Sequence, residues 1–185
     1  LYPISGRSWA NGMTLDDGAG LAFDGTHIWI SHEIQVDGSW ASFVLKLRAS
    51  DGAVVGDYPT GHQWVSNLFF DGTHIWTIGT HIGPDITNTY PRISKGFISK
   101  LRTSDGAVIA AYPTPSQSNP EGYPPGGGSF QNSWPTHMVS DGTYLWVNNT
   151  ADSYILKLRT SDGEITDTYY VGHAPDLLAF DGSHI

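Results

Sequence analysis

One phrase occurs four times in this chain. It reads LAFDGTHIWI at Leu21 to Ile30, LFFDGTHIWT at Leu68 to Thr77, MVSDGTYLWV at Met138 to Val147 and LAFDGSHI at Leu178 to Ile185. Its aspartate stands at Asp24, Asp71, Asp141 and Asp181, spacings of 47, 70 and 40 residues. The shortest spacing is the bare unit, and the longer ones carry insertions. A period near 40 restricts the chain to stacked repeats, either propeller blades or solenoid turns.

A second phrase follows each of the first three copies. FVLKLRASDGAVVGDYPTG spans Phe43 to Gly61, FISKLRTSDGAVIAAYPTP spans Phe97 to Pro115, and YILKLRTSDGEITDTYYVG spans Tyr154 to Gly172. Together the two phrases predict four short strands per unit. An apolar first strand meets Asp-Gly, a dipeptide suited to tight hairpins because glycine accepts a positive φ. THIWI, with Ile28 and Ile30 around Trp29, alternates at period two and forms the second strand. FVLKLR forms the third, and Ser-Asp-Gly turns it into the fourth. No window carries a 3.6-residue apolar period. The expected fold is all-β, a β-propeller of four-stranded antiparallel blades with about three and a half blades present. The chain reads as a single partial propeller over 1–185. Its blades run over about 21–61, 68–115 and 138–172, with a partial blade at 178–185 and inserted loops at 80–96 and 115–137.

The combination FDGTHIWI, KLRTSDG and YPTG resembles the blades of bacterial propellers of the NHL and surface-layer YVTN type. It is also similar to the blades of streptogramin lyases, which share the Asp-Gly-x-x-Trp phrase. The resemblance covers nearly the whole chain and implies architecture more than activity, because one fold hosts many functions. The lyase family implies a His and a Glu-x-His pair around a magnesium-assisted site. The chain has Ser31 to Gln35, SHEIQ, but no Glu-x-His. The lyase set is not carried over, and no catalytic residue, metal or cofactor is expected.

Composition narrows the partners. Nine Lys and Arg stand against 18 Asp and Glu, a net charge of −9, which disfavours nucleic acid and anionic membranes. No apolar run reaches the roughly 18 residues of a spanning helix. There is no cysteine, so disulfides and thiolate metal sites are excluded. Seven Trp, 22 Gly and few Lys fit a bacterial extracellular or cell-surface protein.

Propeller topology sorts the loops into two faces. Turns between strands one and two and between three and four share one face, where only Asp-Gly turns fall. Their aspartates are read as turn formers. The irregular stretches, Ser5–Gly20, Ser31–Ser42, His62–Asn67, Thr80–Gly96 and Pro115–His137, share the other face. Function concentrates on loops held by a rigid scaffold, so the long-loop face is the expected binding face. The residues singled out there are Trp9, His32, Glu33, Trp40, His81, Tyr90, Tyr123, Phe130 and His137. Aromatic rings beside amides and carboxylates suit sugars and protein hot spots alike. Trp64 and Trp134 share a repeat position and are expected to pack between blades. Trp29, Trp76 and Trp146 are expected in the core.

Three functions are in view. The first is a non-enzymatic binding or interaction scaffold for a protein or carbohydrate. The second is a structural protein whose copies complete one another's blades in rings or filaments. The third is a metal-assisted lyase or hydrolase. Leu1 to Gly6, LYPISG, resembles the tail of a fourth strand. An incomplete sequence and self-association through open blade edges are the two explanations for the partial units.

Overall fold

A computed structural model describes residues 20–36, 39–82, 94–115, 133–172 and 174–185. Among them lie twelve strands and no helix, hence no helix long and apolar enough to cross a membrane. The first unit holds β1 (Leu21–Phe23), β2 (His27–Val36), β3 (Ser39–Arg48) and β4 (Val54–Pro59). The second holds β5 (Trp64–Phe70), β6 (His74–Ile82), β7 (Ser94–Arg102) and β8 (Val108–Pro113). The third holds β9 (Pro135–Ser140), β10 (Tyr144–Asn149), β11 (Tyr154–Arg159) and β12 (Ile165–Tyr170). Each unit is one four-stranded antiparallel sheet in sequence order. Among the described residues the fold is all-β and propeller-like, with three such blades.

The repeated phrases make the hairpins. Asp24 N–H bonds to the His27 carbonyl at 3.1 Å, and Gly25 takes φ +95° between them. Asp71, Asp141 and Asp181 close the same turn onto His74, Tyr144 and His184. The aspartate therefore precedes the turn, and the glycine opens it. In the other turn, Gly52 N–H returns to the Arg48 carbonyl at 2.8 Å with φ +72°, and a register shift follows between Lys46 and Leu47. Register shifts recur at Lys100/Leu101 and Lys157/Leu158, so the extra residue belongs to the turn type itself.

Sheets stack face to face. Ala22, Trp29 and Val44 of the first sheet close over Leu68, Ile75 and Leu101 of the second. Trp76, Ile78 and Ile98 of the second close over Met138, Leu145, Val147, Leu156 and Leu158. Burial of these apolar faces, two of them on the second sheet, is what drives the stacking.

Two expectations need correction in the strands. Ser31–Ser42 is not an irregular loop: β2 and β3 extend through it in register, from His27↔Arg48 to Val36↔Ser39. Its polar residues are compatible with strand because backbone pairing needs no apolar side chain, and outward groups find other partners: the Ser31 and Ser42 N–H groups reach the Gly20 and His62 carbonyls. Trp64–Asn67 likewise belongs to β5. At the other end, Leu177–Ile185 forms its Asp-Gly turn but no strand. A first strand is defined by its second, as Leu21↔Ile30 shows, and here only His184 and Ile185 stand in that place.

Candidate functional site

The short-turn face is occupied by a contact set that each unit repeats. Asp24 Oδ1 accepts the backbone N–H groups of Thr26 at 2.9 Å and His27 at 2.7 Å, while Oδ2 accepts Trp29 Nε1 at 2.8 Å. Asp71 holds Thr73, His74 and Trp76 in the same way, with Trp76 Nε1 at 2.6 Å. Asp141 holds Thr143, Tyr144 and Trp146, with Trp146 Nε1 at 2.9 Å. Burial pushes these carboxyls up, but the indole and amide donors together outweigh it and hold all three below the usual range. They anchor the core tryptophans as well as the turns. The second aspartates are simpler: Asp51, Asp105 and Asp162 pair with Arg48, Arg102 and Arg159 at 2.7, 2.8 and 2.8 Å on the surface.

Lysines and tyrosines then join unit to unit. Lys46 Nζ lies 4.8 Å from the Trp29 ring centre and donates across to the Thr103 carbonyl at 2.7 Å. Lys100 sits 4.9 Å over Trp76 and donates to the Thr160 carbonyl at 2.9 Å. The Tyr58 ring fills the space over Gly106, where a Cβ would lie 2.1 Å from it. Tyr112 does the same over Gly163, at 1.9 Å.

The long-loop face differs from unit to unit. At one repeat position stand His32, Gly79 and Asn149; at the next one back, Ser31, Ile78 and Asn148. His32 is buried, stacks on Phe43 with ring centres 5.8 Å apart, and meets Asp57 Oδ1 through Nε2 at 2.8 Å. Its Nδ1 is buried without a partner. Its neighbour Glu33 is also buried, with Oε1 3.5 Å from Ser42 Oγ. Ser42 Oγ makes its shorter bond to the Gln63 carbonyl, 2.8 Å away in the second unit. Trp40 lies half-buried on β3 opposite Gln35. His81 lies on β6, its backbone opposite Lys95. His137 is half-buried on β9, and its Nδ1 accepts the Leu178 N–H at 3.2 Å. Burial pushes its pKa down, against the pull of Asp176. Trp9, Tyr90, Tyr123 and Phe130 lie outside the described residues.

His32 and Glu33 thus belong to the first sheet and His137 to the third. Among the described residues, no three His, Asp or Glu side chains converge as around a metal ion.

A buried polar cluster at the second junction was not foreseen from the sequence. Asn149 Nδ2 donates to Ser133 Oγ at 2.8 Å and Tyr154 Oη at 2.6 Å, with Asp152 Oδ2 at 3.3 Å. Ser133 meets Thr114, and Tyr154 donates to the Pro115 carbonyl. Burial pushes the Tyr154 phenol up to about 12, so it stays a donor at neutral pH. Asn149 Oδ1 accepts the Trp134 N–H at 2.9 Å. These bonds tie together Thr114–Pro115 and Ser133–Trp134, the residues on either side of the Pro/Gly-rich insertion. The available signal was the Asn148-Asn149 pair, two adjacent amides where the other units have Ser31-His32 and Ile78-Gly79.

Three tryptophan expectations change. Trp29 and Trp76 are fully buried, but Trp146 is only half-buried, because no described sheet covers the outer face of the third blade. Trp134 is not packed between blades: it is 55 % exposed. Trp64 is half-buried. The side chain of Trp134 projects from the start of β9, before the stacked part of the blade begins.

No family model matches the sequence, and no curated protein matches it. A solved structure does: the hydrazine synthase of Kuenenia stuttgartiensis, with a TM-score of 0.56 and 16 % identity, over 85 % of this chain and 50 % of that one. The chain therefore spans about half the length of that structure, and at this identity the likeness is one of fold.

Proposed function

We propose that this chain is part of a bacterial, non-enzymatic propeller of the NHL/YVTN type, secreted or surface-attached, that binds a carbohydrate on its long-loop face. One observation carries the reading: Trp134, an exposed indole, stands on a backbone clamped by a buried polar network. A large aromatic surface on a fixed backbone loses little entropy on binding and suits stacking on the C–H face of a sugar ring. Trp40, half-buried on β3, is the second aromatic of the reading. The net charge of −9 favours neutral over anionic ligands.

Tryptophan fluorescence titrated with neutral gluco- and manno-oligosaccharides tests this. Saturable quenching that disappears in Trp134→Ala, with Trp40→Ala weakened, is the expected result. A flat titration with every sugar overturns the carbohydrate reading. A protein ligand captured through the same tryptophans replaces it.

A further inference from the structure

The junctions between units follow a rule, and the third sheet satisfies half of it. On the inner side, the residue three before the first-strand Leu or Met offers its carbonyl to a side chain of the preceding unit. Ser31 Oγ donates to the Val65 carbonyl at 3.3 Å, and Ser66 Oγ to the Pro135 carbonyl at 3.0 Å. Pro175 holds the same place before Leu178, and Asn148 Nδ2 donates to its carbonyl at 3.0 Å. Thr150 Oγ1 adds a second bond at 2.7 Å, and His137 receives the Leu178 N–H. Residues 175–178 are therefore seated on the third sheet as the lead of a further unit.

On the outer side the rule is unmet. Lys157 lies over Trp146 at 5.0 Å, as Lys46 and Lys100 lie over their tryptophans, but among the described residues no carbonyl of a following unit comes across to it. Tyr169 is the repeat equivalent of Tyr58 and Tyr112. It stacks on Trp146 at 5.6 Å and is 42 % exposed, and Tyr170 and Val171 beside it are 42 % and 48 % exposed. The repeat equivalents Tyr58 and Tyr112, each packed at a filled junction, are half-buried instead.

We propose that the outer face of the third sheet seats strands two to four of a fourth unit, the unit whose first strand is Leu178–Phe180. Its turn between strands three and four supplies a backbone carbonyl to Lys157 and a glycine beneath Tyr169. The glycine is required there because any Cβ would strike the ring, as at Gly106 and Gly163.

The test extends the full chain. The sequence of Trp29–Gly61 is appended after Ile185, where His184-Ile185 matches His27-Ile28, and thermal unfolding and amide hydrogen exchange are followed. The melting temperature is expected to rise by about 5 °C or more, with new protection of β11 and β12. Valine in place of the appended copy of Gly52 abolishes that gain without touching the original 185 residues. Tyr169→Ala costs about 3 °C more in the extended chain than in the original. An extended chain that melts with the original and leaves its appended residues unprotected overturns the proposal. So does equal sensitivity of the two chains to Tyr169→Ala. A dimer of the original chain in light scattering, dissolved by Tyr169→Ala, gives the face to a second copy and overturns it as well.

Discussion

The two faces of the molecule are built on opposite principles. On the short-turn face the same atoms meet again and again: carboxylate to indole and ammonium over ring three times, tyrosine over glycine twice. On the long-loop face the side chains change from unit to unit. His32 with Asp57, Gly79 with its bare backbone, and Asn149 with its polar cluster occupy one repeat position. The first face carries the stacking, and its demands are identical at each junction, so its residues are too. The second is free of that demand once the sheets are stacked, and its residues are free to differ. The same contrast places the repeated stacking contacts on one side and the variable side chains on the other.

That contrast can be broken most strongly at Asp71. Asp71→Ala removes the acceptor of a fully buried Trp76 indole and of two turn amides, and should cost about 2–4 kcal/mol in urea unfolding. A loss under about 1 kcal/mol would mean that the turn holds without its carboxylate. Asn149→Ala should come next, at about 1–3 kcal/mol, because it strands the buried Tyr154, Ser133 and Trp134 groups. If the two rank in reverse, the long-loop face is the structural one and the division is wrong.

A smaller effect should appear with pH. His74 and His137 both have folded pKa values below the ordinary histidine value, chiefly through burial. The unfolded chain therefore binds protons more readily, and stability is full above about pH 6.5 and declines as pH falls through that value. A melt at pH 5.5 should lie about 2 °C below one at pH 7.5. His137→Asn, whose amide oxygen can still accept the Leu178 N–H, should flatten part of that slope. The depressed carboxyls of Asp24, Asp71 and Asp141 bring a second, steeper decline below about pH 4 by the same sign rule. The least effect belongs to Arg102→Ala. Its pair with Asp105 is half-exposed on both sides, and thermal melts should not resolve its loss.

The short-turn face was the more legible of the two in the sequence. A unit repeated three times reveals its strands, and period-two alternation around Trp29 and Trp76 located the core correctly. The role of Asp24, Asp71 and Asp141 was only half legible. The turn is local, but the indole bond links residues five apart across it, and nothing in the spelling reveals where Oδ2 points. Trp146 shows the limit of arguing by equivalence. It sits at the core position of its repeat, but burial depends on the sheet beyond. Trp134 fails for a related reason: it shares a repeat position with the half-buried Trp64 but is itself 55 % exposed.

By itself, then, the sequence determined an all-β chain of four-stranded units, their turns and the tryptophan heart of each, because hairpins and strand periodicity are properties of short segments. Tertiary structure decided which equivalent residues are buried, which lysine finds a carbonyl and which tyrosine a glycine. It also decided that Asn149, Ser133 and Tyr154 meet. Those contacts join residues in different units, and their partners are set by how sheets stack, a geometry that no single repeat contains.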